Sequence, residues 1–199
     1  AAAIDRELDK LAPLVAEESE DRYRKARAQL FNSVGLSLMK AFRLEESREW
    51  LNRALELARA IGDLKTEVMV RINLGVVAND MGRADEALEL LSREHSRLAA
   101  LVGDTRELAA LEFNIGESYM FMERYEEAVP WYRRALEVAG RIQYLEFEAA
   151  TRYNLGEVLN TLGKAEEAIS VLEPAMRPAD QGGWDLQRMD LATLLGEVH

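Results

Sequence analysis

A glycine returns through this chain at a fixed interval, and that interval restricts the fold more than any other feature. Gly35, Gly75, Gly116, Gly156 and Gly196 are separated by 40, 41, 40 and 40 residues. Each stands third in a related hexamer: SVGLSL at 33–38, NLGVVA at 73–78, NIGESY at 114–119, NLGEVL at 154–159 and LLGEVH at 194–199. A period in this range marks a stack of supersecondary units, each burying its apolar face against the next.

Every unit reads as two helices. Around the glycines, apolar residues recur at helical spacing: Val70, Leu74, Val77 and Met81, then Leu111, Ile115, Tyr119 and Met122, then Leu155, Leu159 and Leu162. That is an amphipathic helix and not an alternating strand. A short break follows, as in MGRADEA at 81–87 and LGKAEEA at 162–168, and a second stripe begins, for example Leu51, Leu55 and Ala58. Between units lie IGD at 61–63 and VGD at 102–104, with Gly182, Gly183 and Asp185 in the same place before the last helix. Glycine there suits a left-handed helix end and aspartate the cap of the next helix. Pro130 and Pro174 fall inside second helices and, with Pro13 near the start, predict bends or local breaks.

A glycine inside a helix costs about 0.5–1 kcal/mol relative to alanine. Close helix crossing offsets that cost, and small residues recur where the crossing requires them. Ser47, Ala87, Ala128 and Ala168 each follow their glycine by 12 residues, and Ala54, Ala135 and Ala175 follow by 19. In the second unit Glu94 takes the place of the last alanine, which predicts looser packing there.

Gly116, Tyr119, Ala128, Tyr132 and Ala135 together resemble the tetratricopeptide repeat pattern, and Gly156, Leu159, Ala168, Leu172 and Ala175 resemble it with aliphatic substitutes. The period near 40 is similar to the longer-helix variants of that family with an Asn-Leu-Gly core, found in bacterial regulators and eukaryotic scaffolds. The resemblance covers about residues 22–199 and implies an all-α fold, a right-handed α-α superhelix of the tetratricopeptide type. The expected organisation is a capping helix at 1–21, four repeats at about 22–63, 64–104, 105–144 and 145–181, and a C-terminal helix at 182–199 opening a fifth.

Composition leaves little for an enzyme. There is no cysteine, and the two histidines, His95 and His199, are too far apart to build a zinc site. His95, in EHSRL, reads as a solvated residue on a second helix. No phosphate loop, dinucleotide fingerprint or nucleophile elbow is present, and the helical glycines have their amides already bonded. The pairs Glu45-Glu46, Glu126-Glu127 and Glu166-Glu167 open second helices, where carboxylates favour the positive end of the helix dipole. No catalytic residue, metal or cofactor is expected. The formal charge is −11, of which −2 belongs to residues 1–100 and −9 to 101–199. Such a chain repels phosphate backbones, which disfavours nucleic acid. No apolar run reaches the ~20 residues a spanning helix needs, so no membrane partner is expected, and a cytoplasmic location is the default.

The remaining candidates lie on the first helices. Asn73, Asn114 and Asn154 stand two residues before their glycines, and Asn32 one place earlier in its own repeat. Glu117 and Glu157 follow their glycines and share a face with those asparagines, a face distinct from the glycine–alanine crossing. Phe113, Tyr153, Met120, Asn79 and Asn160 flank it. In a tetratricopeptide superhelix this face lines the concave groove, and the resemblance implies that the carboxamides pair with the backbone of an extended peptide, since each offers donor and acceptor. The alternative use is bonding a neighbouring helix to set repeat stacking. Chaperone-binding relatives hold acidic tails with lysines at set inner positions, and no lysine stands at the matching positions here. The expected function is therefore a non-catalytic module that binds a neutral or basic peptide or helix of a partner protein. Two other readings remain: a self-associating scaffold, and a regulatory or sensor domain of a larger transcription regulator or signalling protein. Leu191, Leu194, Leu195 and Val198 form an apolar stripe on the last helix and predict a homodimer through it.

Overall fold

The computed structural model describes residues 20–101 and 105–182, all helix and tight turn. The expected capping helix before Glu20, Pro13, the VGD segment, Gly196 and the C-terminal leucine stripe lie outside the described residues. Eight helices follow one another: α1 (Glu20–Lys40), α2 (Leu44–Ala60), α3 (Leu64–Asp80), α4 (Ala84–Leu101), α5 (Arg106–Phe121), α6 (Tyr125–Arg141), α7 (Leu145–Thr161) and α8 (Ala165–Gly182). They form two compact units, the first ending at Met81 and the second beginning at Gly82. In each unit consecutive helices pack against one another.

The helix ends share one device. In six turns among the described residues the second residue after the helix adopts a left-handed conformation, and in five of them the next amide bonds back five residues. Arg43 N–H reaches Leu38 O, Asp63 reaches Ala58, Arg124 reaches Tyr119, Tyr144 reaches Ala139 and Lys164 reaches Leu159, each at 2.9 Å. This is the Schellman closure, which satisfies carbonyls the helix leaves open. Glycine holds the left-handed place at Gly62, Gly82 and Gly163, with φ of 67°, 72° and 72°. Phe42, Glu123 and Gln143 hold it elsewhere at 56°, 57° and 56°, so the closure does not depend on glycine alone. Asp63 caps α3 as the IGD segment predicts, accepting from Thr66 N–H. At the start of α5 the cap is Thr105, accepting from Leu108 N–H. Gly182 closes α8 and does not stand in the turn after it.

The helical glycines lie at close crossings, but the neighbour differs from the one the alanine spacing suggested. A methyl at Gly35 would lie 2.7 Å from Leu51 Cδ2, at Gly116 2.9 Å from Tyr132 Cε1, and at Gly156 2.5 Å from Leu172 Cδ2. Each of those large side chains follows its glycine by 16 residues and is fully buried. The glycine vacates room for a side chain, while the small residues at +12 bring the backbones near. Ser47 and Ala128 are fully buried, and Ser47 Oγ donates to Gly35 O at 2.8 Å. In the first unit Phe31 meets Trp50 edge-on at 4.9 Å. In the second, Tyr132 joins Ala128, Val129, Leu155, Val158, Leu159 and Ala168 in one core.

The local breaks expected at two prolines do not occur. α6 runs unbroken through Pro130. Pro130 and Glu126, whose carbonyl loses its donor, are both exposed, so water can satisfy that carbonyl. Helix α8 likewise continues past Pro174. Glu94, in the place of the missing alanine, is fully buried, with Arg97 Nη1 3.4 Å from both carboxylate oxygens. No helix among the described residues is long and apolar enough to cross a membrane.

Candidate functional site

The first helices α5 and α7 lie together in the second unit, because the Phe113 ring on α5 meets Phe147 on α7 at 5.4 Å. Phe113 also meets Tyr132 at 5.5 Å, so one ring joins the core below to both helices. The aromatic line continues: Tyr144 stacks on Phe147 at 5.3 Å with 11° between planes, and the Arg106 guanidinium sits 4.5 Å over Tyr144. Phe147 stands seven residues before Asn154, two helical turns along the same face. That spacing was a legible signal that the sequence reading passed over.

Tyr132 forms the floor. Its ring is fully buried and carries about 1.5–3 kcal/mol of burial stabilisation. Its hydroxyl donates to Met120 Sδ at 3.7 Å, and the Asn154 amide bonds to the same oxygen. Burial pushes the phenol well above its ordinary range. The Glu117 carboxylate pushes the same way, the Asn154 amide opposes it, and Glu157 adds to the rise. Two carboxylates on adjacent first helices therefore lie near enough to act on one hydroxyl. The structure thus brings together Phe113, Glu117 and Met120 from α5 with Asn154 and Glu157 from α7. Tyr153 and Asn160, partly exposed, lie on α7 alongside.

The asparagines are used within the protein. In the first unit Asn73 Nδ2 donates to Asn32 Oδ1 at 2.8 Å, and Asn32 is buried. That contact joins α1 to α3 across one period, which is the stacking role. Asn114 and Asn79 were expected at the groove but are buried, 7% and 4% exposed. Asn114 Nδ2 bonds back to Ala110 O at 2.7 Å within its own helix. Asn154 is the partly exposed one of its register in the second unit.

His95 also departs from expectation. Its side chain is 19% exposed, with Nε2 3.1 Å from Glu112 Oε1, and its ring stands edge-on to Trp131 at 5.0 Å. It ties α4 to α5 and α6 rather than facing solvent. The acidic pairs at second-helix starts do more than favour the dipole. Glu46 pairs with Arg43 at 2.5 Å, Glu127 with Arg124 at 2.9 Å and Glu167 with Arg133 at 2.6 Å. Among the described residues no group of three or more His, Cys, Asp or Glu side chains could hold a metal ion.

Known proteins share this pattern. The tetratricopeptide repeat family matches residues 25–100, 66–141 and 106–177. Protein KINESIN LIGHT CHAIN-RELATED 3 of Arabidopsis thaliana is 26% identical over 166 residues, covering 81% of this chain and 25% of that protein. Transcriptional activator NprA of Geobacillus stearothermophilus is 27% identical over 127 residues, 60% of this chain and 30% of that one. The chain thus spans less than a third of either relative. Among solved structures, the Rap conjugation gene regulator of the plasmid pLS20, in complex with the Phr* peptide, superposes with a TM-score of 0.77 at 18% identity. It covers 89% of this chain and 50% of that one. The likeness establishes an all-α repeat fold of the same kind.

Proposed function

The chain belongs to the tetratricopeptide repeat family, and from that premise we propose that it is a non-catalytic protein-interaction module that takes a partner's peptide or helix on the face of α5 and α7. The observation that carries this reading is the gathering of Phe113, Met120 and Asn154 around the Tyr132 floor, with Tyr153 and Asn160 on the same helix as Asn154. Rigid aromatic surface beside a carboxamide is what a peptide needs: apolar contact for its side chains and donor–acceptor pairing for its backbone. The similar Rap regulator solved with a Phr* peptide supports a peptide as the ligand class.

Asn154, partly exposed beside the Tyr132 hydroxyl, and Asn160 are the carboxamides best placed for backbone pairing, while Asn32 and Asn73 serve stacking. A second reading, a regulatory or sensor unit of a larger protein, is favoured by the likeness to the activator NprA. It is compatible with the first, since a sensor of this kind would act through the same face.

The test is selection of a random 12-residue displayed peptide library on the immobilised chain, followed by NMR mapping of one selected peptide. Shifts centred on α5 and α7 are expected. Failure to enrich any peptide, or shifts confined to the second helices α4, α6 and α8, would overturn the reading.

A further inference from the structure

We propose that Arg106 is the seat for one aspartate or glutamate side chain of the bound peptide, at the end of the docking face where α5 and α7 begin. The inference rests on α5 and α7 being the docking face and adds the chemistry of one residue that docks there.

The placement comes from contacts. Arg106 opens α5, and its guanidinium carbon lies 4.5 Å from the centre of the Tyr144 ring. Tyr144 stands just before α7 and stacks on Phe147 at 5.3 Å. Phe147 meets Phe113 at 5.4 Å, and Phe113 meets Tyr132 at 5.5 Å. A continuous row of side chains therefore runs from the guanidinium, across the seam between α5 and α7, to the Tyr132 floor. Arg106 and Phe113 are seven residues apart, two helical turns, so both stand on one face of α5.

The guanidinium is held in place but its charge is not answered. Exposed arginines of this unit pair with carboxylates: Arg124 with Glu127, Arg133 with Glu167 and Arg141 with Glu137. Arg106 is exposed and meets no Asp or Glu among the described residues, where its contact is the Tyr144 ring. Glu107 follows it directly, and adjacent helical residues do not face one another. A cation at the positive end of a helix dipole is disfavoured, and a carboxylate bound there is favoured by the dipole and the guanidinium together. Stacking leaves the planar fork of N–H donors open, and that fork matches a carboxylate with two parallel bonds. It also orders the side chain before the peptide arrives, which reduces the freedom lost on binding.

Charge restricts the occupant further. Residues 101–199 carry a net of −9, which repels a peptide with many carboxylates, so the seat takes one acid in a peptide otherwise neutral or apolar. Because Arg106 is exposed, a peptide can continue past it, which suits a side chain and not a chain end.

The experiment sequences the peptides selected on the parent chain and measures one of them, as a synthetic peptide, by fluorescence anisotropy. The proteins compared are the parent, Arg106→Gln and, as control, Lys164→Gln, which removes an exposed cation from the turn before α8. Circular dichroism confirms that each variant folds. An aspartate or glutamate shared at one position among the selected peptides is expected, with affinity falling about tenfold in Arg106→Gln and less than about twofold in the control. Replacing that peptide acid by its amide should cause the same fall against the parent and less than about twofold against Arg106→Gln. Three results overturn the seat and leave the docking face standing: peptides that map to α5 and α7 without a shared acid, affinity unchanged in Arg106→Gln, or affinity lost on amidating the peptide's C-terminus and not on replacing its acidic side chain. Absence of any binding peptide overturns both.

Discussion

Gly156→Ala is the smallest change that tests how these helices cross. The added methyl would lie 2.5 Å from Leu172 Cδ2 and 2.6 Å from its Cγ, far inside ordinary carbon contact near 3.5–4.0 Å. Leu172 is fully buried, so its side chain has no open space to turn into. Overpacking of this kind costs about 1–3 kcal/mol, and the helix preference of alanine returns about 0.5–1 kcal/mol. The net is a loss of up to about 2.5 kcal/mol, a fall of up to roughly 10 °C in Tm for a chain of this size. Leu172→Ala alone opens a cavity and costs about 2–5 kcal/mol. Together, the new methyl enters the space the leucine vacates, so the double variant should be at least ~1 kcal/mol more stable than the two losses added. Urea unfolding of all four proteins, followed by circular dichroism at 222 nm, measures that coupling. Additivity to within about 0.5 kcal/mol would refute the claim that glycine is there to admit Leu172. Gly62→Ala is the control: it has φ of 67° and no atom within 4 Å of the added methyl, so its loss of about 1 kcal/mol should be independent of any partner.

Glu123→Gly should raise Tm by a few degrees, because it removes about 1 kcal/mol of left-handed strain at an exposed turn; an unchanged or lower Tm in a thermal melt counts against strain there. Asn73→Ala should cost about 1–3 kcal/mol by leaving the buried Asn32 oxygen without its donor, read from the same urea melts; a loss under about 0.3 kcal/mol would remove the stacking role. Burial pushes the Asp63 carboxyl up, but hydrogen bonds from the Thr66 hydroxyl, Lys25 and the Thr66 amide outweigh it and hold it below its usual range. Its contribution is therefore present above about pH 4, the ordinary aspartate value, and lost as pH falls through the folded value. Asp63→Ala should cost about 1 kcal/mol at pH 7, and its deficit relative to the parent should shrink in melts taken toward pH 2.5; a deficit constant with pH would contradict the assignment.

The candidate face was only partly visible along the chain. Phe113, Glu117 and Glu157 could be placed on one side of the first helices by counting in threes and fours, since that spacing follows from helix geometry alone. Phe147 was equally countable, seven residues from Asn154, but has no repeat-mate to draw attention to it. The asparagines could not be assigned from position. All three sit at one register, yet Asn73 bonds Asn32, Asn114 bonds its own helix and Asn154 bonds Tyr132. A carboxamide reaches only the partners within about 3 Å, and which partner is there depends on the neighbouring repeat, not on the residue's own.

The sequence by itself determined that the described chain is helical, where its turns fall and which residues are small at the crossings. Those properties follow from periodicity, and each repeat states them again. What only the tertiary structure decided is what the glycines face and where the buried charges go. Leu51, Tyr132 and Leu172 lie 16 residues beyond their glycines, one to a helix pair, and burying them depends on how deeply two helices approach. His95 meets Glu112 and Trp131 across 17 and 36 residues, separations at which no local pattern records a contact. Helix spacing is a property of one backbone, and a contact between helices is a property of two, so the first is written along the chain and the second exists only once the chain has packed.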